Sequence, residues 1–239
     1  MSSNQSFLGW LNPLLSVLVI VAVFLGGCNA TPTQESQQTN PQIAQNSAMT
    51  SNLPQLNGKA TVELTVKGSP IVIEVNGEMA PITAGNFVDL VQRDFYNGLT
   101  FHRVVKEPQP FVVQGGDPKG NGTGGFVNPE TGQRRSIPLE IVPAGEEEPV
   151  YGKTLEQAGL EKNPALKHTK GALSMARSQM PNSASSQFFI ALAELPFLDG
   201  DYAVFGYVTS SLDVVDTIQK GDRIESAKVV SGLDNLEKS

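Results

Sequence analysis

Between Phe101 and Gly125 the sequence sets short apolar runs beside a cation, an amide and a dense series of glycines. It reads Phe101-His102-Arg103-Val104, then Pro110-Phe111-Val112-Val113-Gln114-Gly115-Gly116-Asp117, then Gly120-Asn121-Gly122-Thr123-Gly124-Gly125. Glycine stands where backbone turns tightly or approaches a ligand closely. A strand with a purely structural task has no use for Arg103 and Gln114 beside Phe111. The stretch therefore reads as a site made of short strands that end in a glycine-rich loop. Two later stretches belong with it. One is Ser174-Met175-Ala176-Arg177 leading to Pro181-Asn182-Ser183-Ala184-Ser185-Ser186-Gln187-Phe188-Phe189-Ile190; the other is Phe197-Leu198-Asp199-Gly200 leading to Val204-Phe205-Gly206.

The surrounding pattern is that of a β-rich domain. Val62, Leu64 and Val66 alternate with Thr61, Glu63 and Thr65, and Ile71, Ile73 and Val75 alternate with Val72 and Glu74. Period-two alternation predicts two strands with one buried face each, joined by a turn at Lys67-Gly68-Ser69-Pro70. Pro81 to Asp94 predicts a helix, with Thr83 as its N-cap and Phe87, Leu90 and Val91 on one face. Further short strands recur at turn-rich spacing, as in an all-β barrel. A second helix is expected after Ser210-Ser211, with Leu212, Val215 and Ile218 on one side, and a closing strand over Ala227 to Val230. Pattern alone thus gives an antiparallel barrel with two helices. The long segment 126–168, with Glu146-Glu147-Glu148-Pro149 and a short helix expected over Leu155 to Leu160, reads as a solvated surface excursion. A partner-docking loop is the alternative.

The formal net charge of -7 leaves no basic footprint of the kind nucleic acid requires. The one local exception, Gln133-Arg134-Arg135, is read as part of a solvated loop. A single cysteine, Cys28, excludes an intrachain disulfide. His102 and His168 are far apart with no cysteine near either, whereas zinc needs three or four suitably spaced ligands. No metal and no cofactor are expected. No G-x-S-x-G elbow is present.

Residues 1–27 carry no charged side chain, and Leu14 to Leu25 is an almost wholly apolar run of twelve. A membrane span needs about 20 residues, whereas the core of a secretory signal peptide takes about 7–15. Leu25-Gly26-Gly27-Cys28 looks like a bacterial lipobox, in which cleavage before a lipidated cysteine leaves an acylated N-terminus. Two or more acyl chains give stable anchoring where one is marginal. The alternative is an uncleaved N-terminal anchor with an incidental cysteine. Either reading puts the rest of the chain outside the cytoplasm, tied to a bacterial membrane on its periplasmic side. Residues 1–27 are thus expected to be a signal peptide. Residues 28–58, rich in Thr, Gln, Ser, Asn and Pro, bury too little to offset ordering entropy and are expected to be a disordered tether. The domain is expected over 59–232 and a C-terminal tail over 233–239.

In this order, the motifs FHR, QGGD, NGTGG, SMA, SQFFI, LDG and VFG resemble the cyclophilins, the cyclosporin-binding class of peptidyl-prolyl isomerases, from about Thr61 to about Val230. The resemblance implies an eight-stranded antiparallel barrel capped by two α-helices, and rotation about X-Pro bonds of proline-containing polypeptides to assist their folding. It implies that Arg103 donates to the prolyl amide and that Gln114 bonds substrate backbone and orients that arginine. Phe111, Val112, Phe189 and Leu198 match the walls of the proline pocket; Gln187, Ala176 and Arg177 match the rim, with Gly122 on the neighbouring loop. Phe188 and His102 are read as structural, since strand neighbours face opposite ways. Val112 replaces a usual Met, Arg177 a common Asn, and one residue is inserted between Met175 and Pro181. Phe197 replaces a Trp and Tyr202 a nearby His. Phe197 keeps an aromatic wall without the indole N–H, which implies weaker cyclosporin binding. A monomer is expected. The competing reading is a non-catalytic chaperone or assembly module that holds proline segments in the same groove; a hydrolase is the third.

The lipobox makes a direct prediction. In a bacterial host Cys28→Ala is expected to leave the precursor unprocessed and to remove the mature chain from the membrane fraction. Normal processing with unchanged fractionation would overturn it.

Overall fold

The computed structural model describes residues 50–238. The apolar run, Cys28 and most of the expected tether lie outside the described residues. Twelve strands are described, in chain order β1 (Gln55–Leu56), β2 (Lys59–Val66), β3 (Ser69–Asn76), β4 (Arg103–Val105), β5 (Val112–Gly115), β6 (Glu140–Ile141), β7 (Val150–Tyr151), β8 (Ala172–Met175), β9 (Phe188–Ala191), β10 (Val204–Ser210), β11 (Ser226–Ser231) and β12 (Leu236–Glu237). Two α-helices, α1 (Pro81–Gln92) and α2 (Leu212–Thr217), accompany them.

Eight strands form one antiparallel sheet in the order β11-β2-β3-β10-β8-β9-β5-β4. The sheet curls into a half-barrel. Its two edges are tied at one end, where Gly98 N donates to Ile224 O (2.7 Å), Ile224 N to Leu99 O (2.8 Å) and Phe101 N to Asp222 O (2.8 Å). The alternation predicted for β2 and β3 holds: Ala60, Val62, Leu64 and Val66, with Ile71, Ile73 and Val75, are buried, while their neighbours are only partly covered. Lys67 and Gly68 join the two with φ of 52° and 72°, the paired left-handed geometry that matches the twist of a two-residue hairpin. Inside the curl, Phe87 of α1 packs on Tyr96, Phe188 and Phe205, with ring centroids 5.2–5.4 Å apart.

Helix α1 starts where Pro81 predicts, since the first turn has no use for the missing N–H. Its cap is not Thr83. That residue lies inside the helix and is fully buried. The free N–H groups of Ile82 and Thr83 instead donate to the two carboxylate oxygens of Glu140, at 3.1 and 2.8 Å. Burial pushes the Glu140 carboxyl up, against these bonds and a further one from Tyr151. Glu140 lies 57 residues further along the chain from Thr83, beyond the reach of any local capping pattern.

Four further expectations are corrected. At the ends, β1 pairs with β12, Asn57 N donates to Asn235 O (2.8 Å) and Leu56 is fully buried. The fold therefore extends past both expected bounds, into residues assigned to the tether and to the tail. Leu155 to Leu160 forms turns rather than a helix. The 126–168 segment is also not a plain excursion. It contributes the β6–β7 hairpin and a small apolar cluster of Leu139, Ile141 and Leu155 with Ala203. Arg135, read as part of a solvated loop, is largely buried: it pairs with Asp89 Oδ2 at 2.7 Å and lies over the Phe126 ring.

Glu140→Ala is expected to strand two buried helix donors. A loss of about 1–3 kcal/mol follows, read as a lower urea midpoint with an unchanged slope.

Candidate active site

The site is one row of residues across four strands. Arg103 on β4 pairs with Gln114 on β5, Gln114 with Phe189 on β9, and Phe189 with Ser174 on β8. Pairing partners share a face. The adjacent row, Val104, Val113, Ile190 and Leu173, faces the main core. Phe188 joins that core and Phe189 does not; it packs in a separate cluster with Val112, Ala172, Ala191, Leu195 and Val204. The opposite orientation expected of the two phenylalanines is what the strand provides.

On this face a cavity of about 230 Å³ is lined by Arg103, Phe111, Val112, Gln114, Ala176, Arg177, Phe189, Leu198 and Tyr202. Nine of the sequence-predicted positions thus meet around one hollow. Val112 and Phe189 form its floor, at 1% and 5% exposure. Tyr202 sets its ring edge on Phe189 at 6.0 Å. Phe197 is not a lining residue. It is 66% exposed and stacks on Phe111 at 5.9 Å, which places it on the outer rim.

Arg103 is exposed, yet positioned. Its guanidinium lies 5.2 Å from the Phe111 ring centre, and Nη1 donates to Gln114 Oε1 at 3.2 Å. Gln114 Nε2 donates to Gln187 Oε1 at 3.0 Å, and Gln187 Nε2 donates to Gly122 O and Gly124 O at 3.0 and 2.9 Å. Gln187 therefore does more than line a rim, because it fastens the glycine loop to the arginine. Gly122 and Gln187 line a second cavity of about 480 Å³, which shares Gln114, Ala176 and Arg177 with the first. Between the two, Arg177 donates to Asp201 O through Nε and Nη2, and through Nη1 to Ser178 O and Gln179 O. Its guanidinium also covers the Tyr202 ring at 4.7 Å.

The loop is held from below by Asp117, whose carboxylate accepts from the N–H groups of Lys119, Asn121 and Gly122. Burial alone would push this carboxyl up, but the three donors together bring it below the usual carboxylate value. His102 faces away from the cavity, with both ring nitrogens buried and unpartnered. Burial pushes its pKa down, which favours the neutral ring.

A buried polar cluster that the motifs did not announce backs the floor. His168 stacks on Phe189 at 5.9 Å, its Nδ1 lies 2.8 Å from Asp199 Oδ1, and its Nε2 lies 3.1 Å from Ser174 Oγ. The set has the composition of a hydrolytic triad but not its accessibility. Ser174 is fully buried and its hydroxyl donates to Ala203 O at 2.9 Å, so no substrate carbonyl reaches it. Arg134, Ser136, Met180 and Asn182, all in the second cavity, were also missed; the only signal for Arg134 was the short cationic run it shares with Arg135.

The family model described as cyclophilin type peptidyl-prolyl cis-trans isomerase/CLD matches residues 61–237. The chain belongs to the cyclophilin family. It is 48% identical, over 77% of its length, to a protein of Synechocystis whose name assigns it to the thylakoid lumen as a peptidyl-prolyl cis-trans isomerase, covering 50% of that protein. It is 45% identical, over 77% of its length, to a chloroplastic peptidyl-prolyl cis-trans isomerase of Arabidopsis thaliana, covering 45% of it. The chain thus spans about half the length of these two relatives. A crystal structure of a cyclophilin type peptidyl-prolyl cis-trans isomerase from Cryptosporidium parvum, in the presence of the dipeptide Ala-Pro, is similar with a TM-score of 0.52 and 26% identity, over 72% of this chain and 99% of that one.

Because the Asp117 carboxyl is held below its ordinary value, its contribution is present above the unfolded pKa of about 3.9 and lost as pH falls through the lower folded value. Asp117→Asn is therefore expected to lower stability at neutral pH and to shrink the loss of stability between about pH 5 and pH 3. Urea midpoints measured across that range for both proteins check it.

Proposed function

We propose that this cyclophilin accelerates cis–trans rotation about X-Pro peptide bonds in polypeptide clients. The observation that carries the reading is the Arg103 guanidinium, held over Phe111 by Gln114 at the mouth of a cavity with an apolar floor. The Ala-Pro dipeptide present with the Cryptosporidium relative supports a proline ligand for this hollow.

The chemistry needs little more. The barrier of about 18–20 kcal/mol comes from delocalisation of the nitrogen lone pair into the carbonyl. Twisting the bond removes that resonance, and the prolyl nitrogen becomes pyramidal with a lone pair free to accept. The proline ring seats on Val112 and Phe189 between Phe111 and Leu198 while the acyl side turns. Arg103 offers a donor that bonds the twisted amide better than the planar one, and only such a difference lowers the barrier. Arginine suits this role because it is always charged and presents a rigid fork of donors. Gln114 aims it, and the second N–H of its amide is left for client backbone. No nucleophile and no proton transfer is called for. Every group named comes from one chain, so a monomer suffices.

The proposal extends to place. The apolar run and Cys28 support an extracytoplasmic chain anchored by lipid to a bacterial membrane, assisting the folding of exported or membrane proteins, and the lumenal name of the Synechocystis relative points the same way.

Arg103→Ala is expected to lower kcat/KM on a short Ala-Pro peptide by about 100-fold while peptide Kd moves far less. Loss of affinity without loss of rate, or a folded native protein without any acceleration, would replace the enzyme with a proline-binding module.

A further inference from the structure

The second cavity has an electrostatic character that the proline pocket does not explain. Among the described residues that line it, only Arg134 and Arg177 are charged, in a chain of net charge -7. The positive character is therefore local. The Arg177 guanidinium is spent on the carbonyls of Asp201, Ser178 and Gln179. Those bonds hold its position and leave its charge uncompensated. Arg135, one residue from Arg134, is paired with Asp89, a carboxylate it shares with Arg93. Among the described residues Arg134 forms no such ion pair.

The Arg134 guanidinium also lies against one place on the glycine loop. A Cβ built on Gly125 would lie 2.8 Å from Arg134 Cζ and from its Nη2. The missing side chain at Gly125 thus leaves room for the guanidinium against the loop at the cavity wall. The strand-like bridge between Val127 and Arg134 sets the backbone from which it reaches. Ser136 adds a hydroxyl on the same side.

We propose that this cavity selects clients with a carboxylate side chain close to the proline, with Arg134 as the specificity-determining residue and Arg177 as the fixed second charge. The inference rests on the isomerase reading of the adjoining pocket, since the two cavities share Gln114, Ala176 and Arg177 and one extended peptide spans both. Successive residues of such a peptide advance by about 3.3 Å, which confines the acidic residue to the few positions beside the proline.

The test uses the full mature chain and fluorescent Ala-Pro peptides carrying Glu, Gln or Lys at each of the few positions on either side of the proline. Anisotropy gives Kd, and isomerisation of the same peptides gives kcat/KM. At one position the Glu peptide is expected to bind about fivefold or more tighter than the Lys peptide at low salt, as partly exposed ion pairs allow, with the ratio shrinking as salt screens it. In Arg134→Gln the ratio should collapse towards one, and in Arg134→Glu it should invert. Equal Kd for Glu and Lys peptides at every position of the native protein overturns the proposal, as does a ratio untouched by Arg134→Gln. The two readings separate cleanly. A native protein that binds Glu peptides preferentially without accelerating any of them keeps the charge selection and loses the isomerase, whereas acceleration without charge preference does the reverse. The native comparison stands even where a variant fails to fold.

Discussion

Register in a β-sheet decides which face a side chain occupies, because successive residues alternate and a slip of one residue moves every side chain to the other side. In this protein that constraint carries the site. Arg103, Gln114, Phe189 and Ser174 stand in one row across β4, β5, β9 and β8, and Val104, Val113, Ile190 and Leu173 stand in the next. A one-residue slip of these strands would expose side chains such as Val113, Ile190 and Leu173, all now at 0% exposure. Each buried apolar side chain is worth about 1.5–3 kcal/mol, so together they approach the whole stability of about 5–15 kcal/mol expected of a domain. The core thus enforces the register, and the register delivers an exposed cation and an amide to the outer face.

The direction of the polar chain on that face follows from what each group is able to do. The carbonyls of Gly122 and Gly124 only accept, so Gln187 must turn its NH₂ towards them. Its oxygen is then left to accept from Gln114, whose own oxygen is left facing Arg103. Reversing either amide would set donor against donor. The glycine loop, tied down by Asp117, therefore determines where Arg103 is aimed, acting through Gln187 and Gln114. An exposed arginine alone would sample many rotamers, and this relay, with the Phe111 face beneath it, restricts them at little desolvation cost.

What was legible in the sequence was local or periodic. The alternation of β2 and β3 follows from period two, as does the opposite facing of Phe188 and Phe189. The pocket residues lay inside contiguous motifs. What escaped joins distant segments through irregular backbone. Glu140 serves helix α1 from 57 residues away, and Asp199 meets His168 across 31. Thr83 satisfied the local pattern for an N-cap but was taken into the helix, because a buried carboxylate already held the donors. The two-residue strands β1 and β12 are too short for any periodicity to register, so both ends of the fold were placed outside it. Phe197 carried an aromatic signature correctly, yet only the turn before Asp199 decides that it stacks at the rim rather than lines the hollow.

The segment from 126 to 168 shows how a loop acquires a role in a site. It is fastened beside the second cavity by buried groups: Ser185 Oγ accepts from Phe126 N and donates to Arg135 O, while Ile137 N donates to Ala184 O. Further along, Glu140 locks it to α1. Arg134 sits between the first two of these attachments, so its backbone is held to the scaffold even though its side chain is exposed. Charge on a freely moving loop attracts anions without regard to position. Charge carried on a backbone fixed at both sides acts within one side chain's reach of a fixed point, and that limited range is what turns attraction into selection among client sequences.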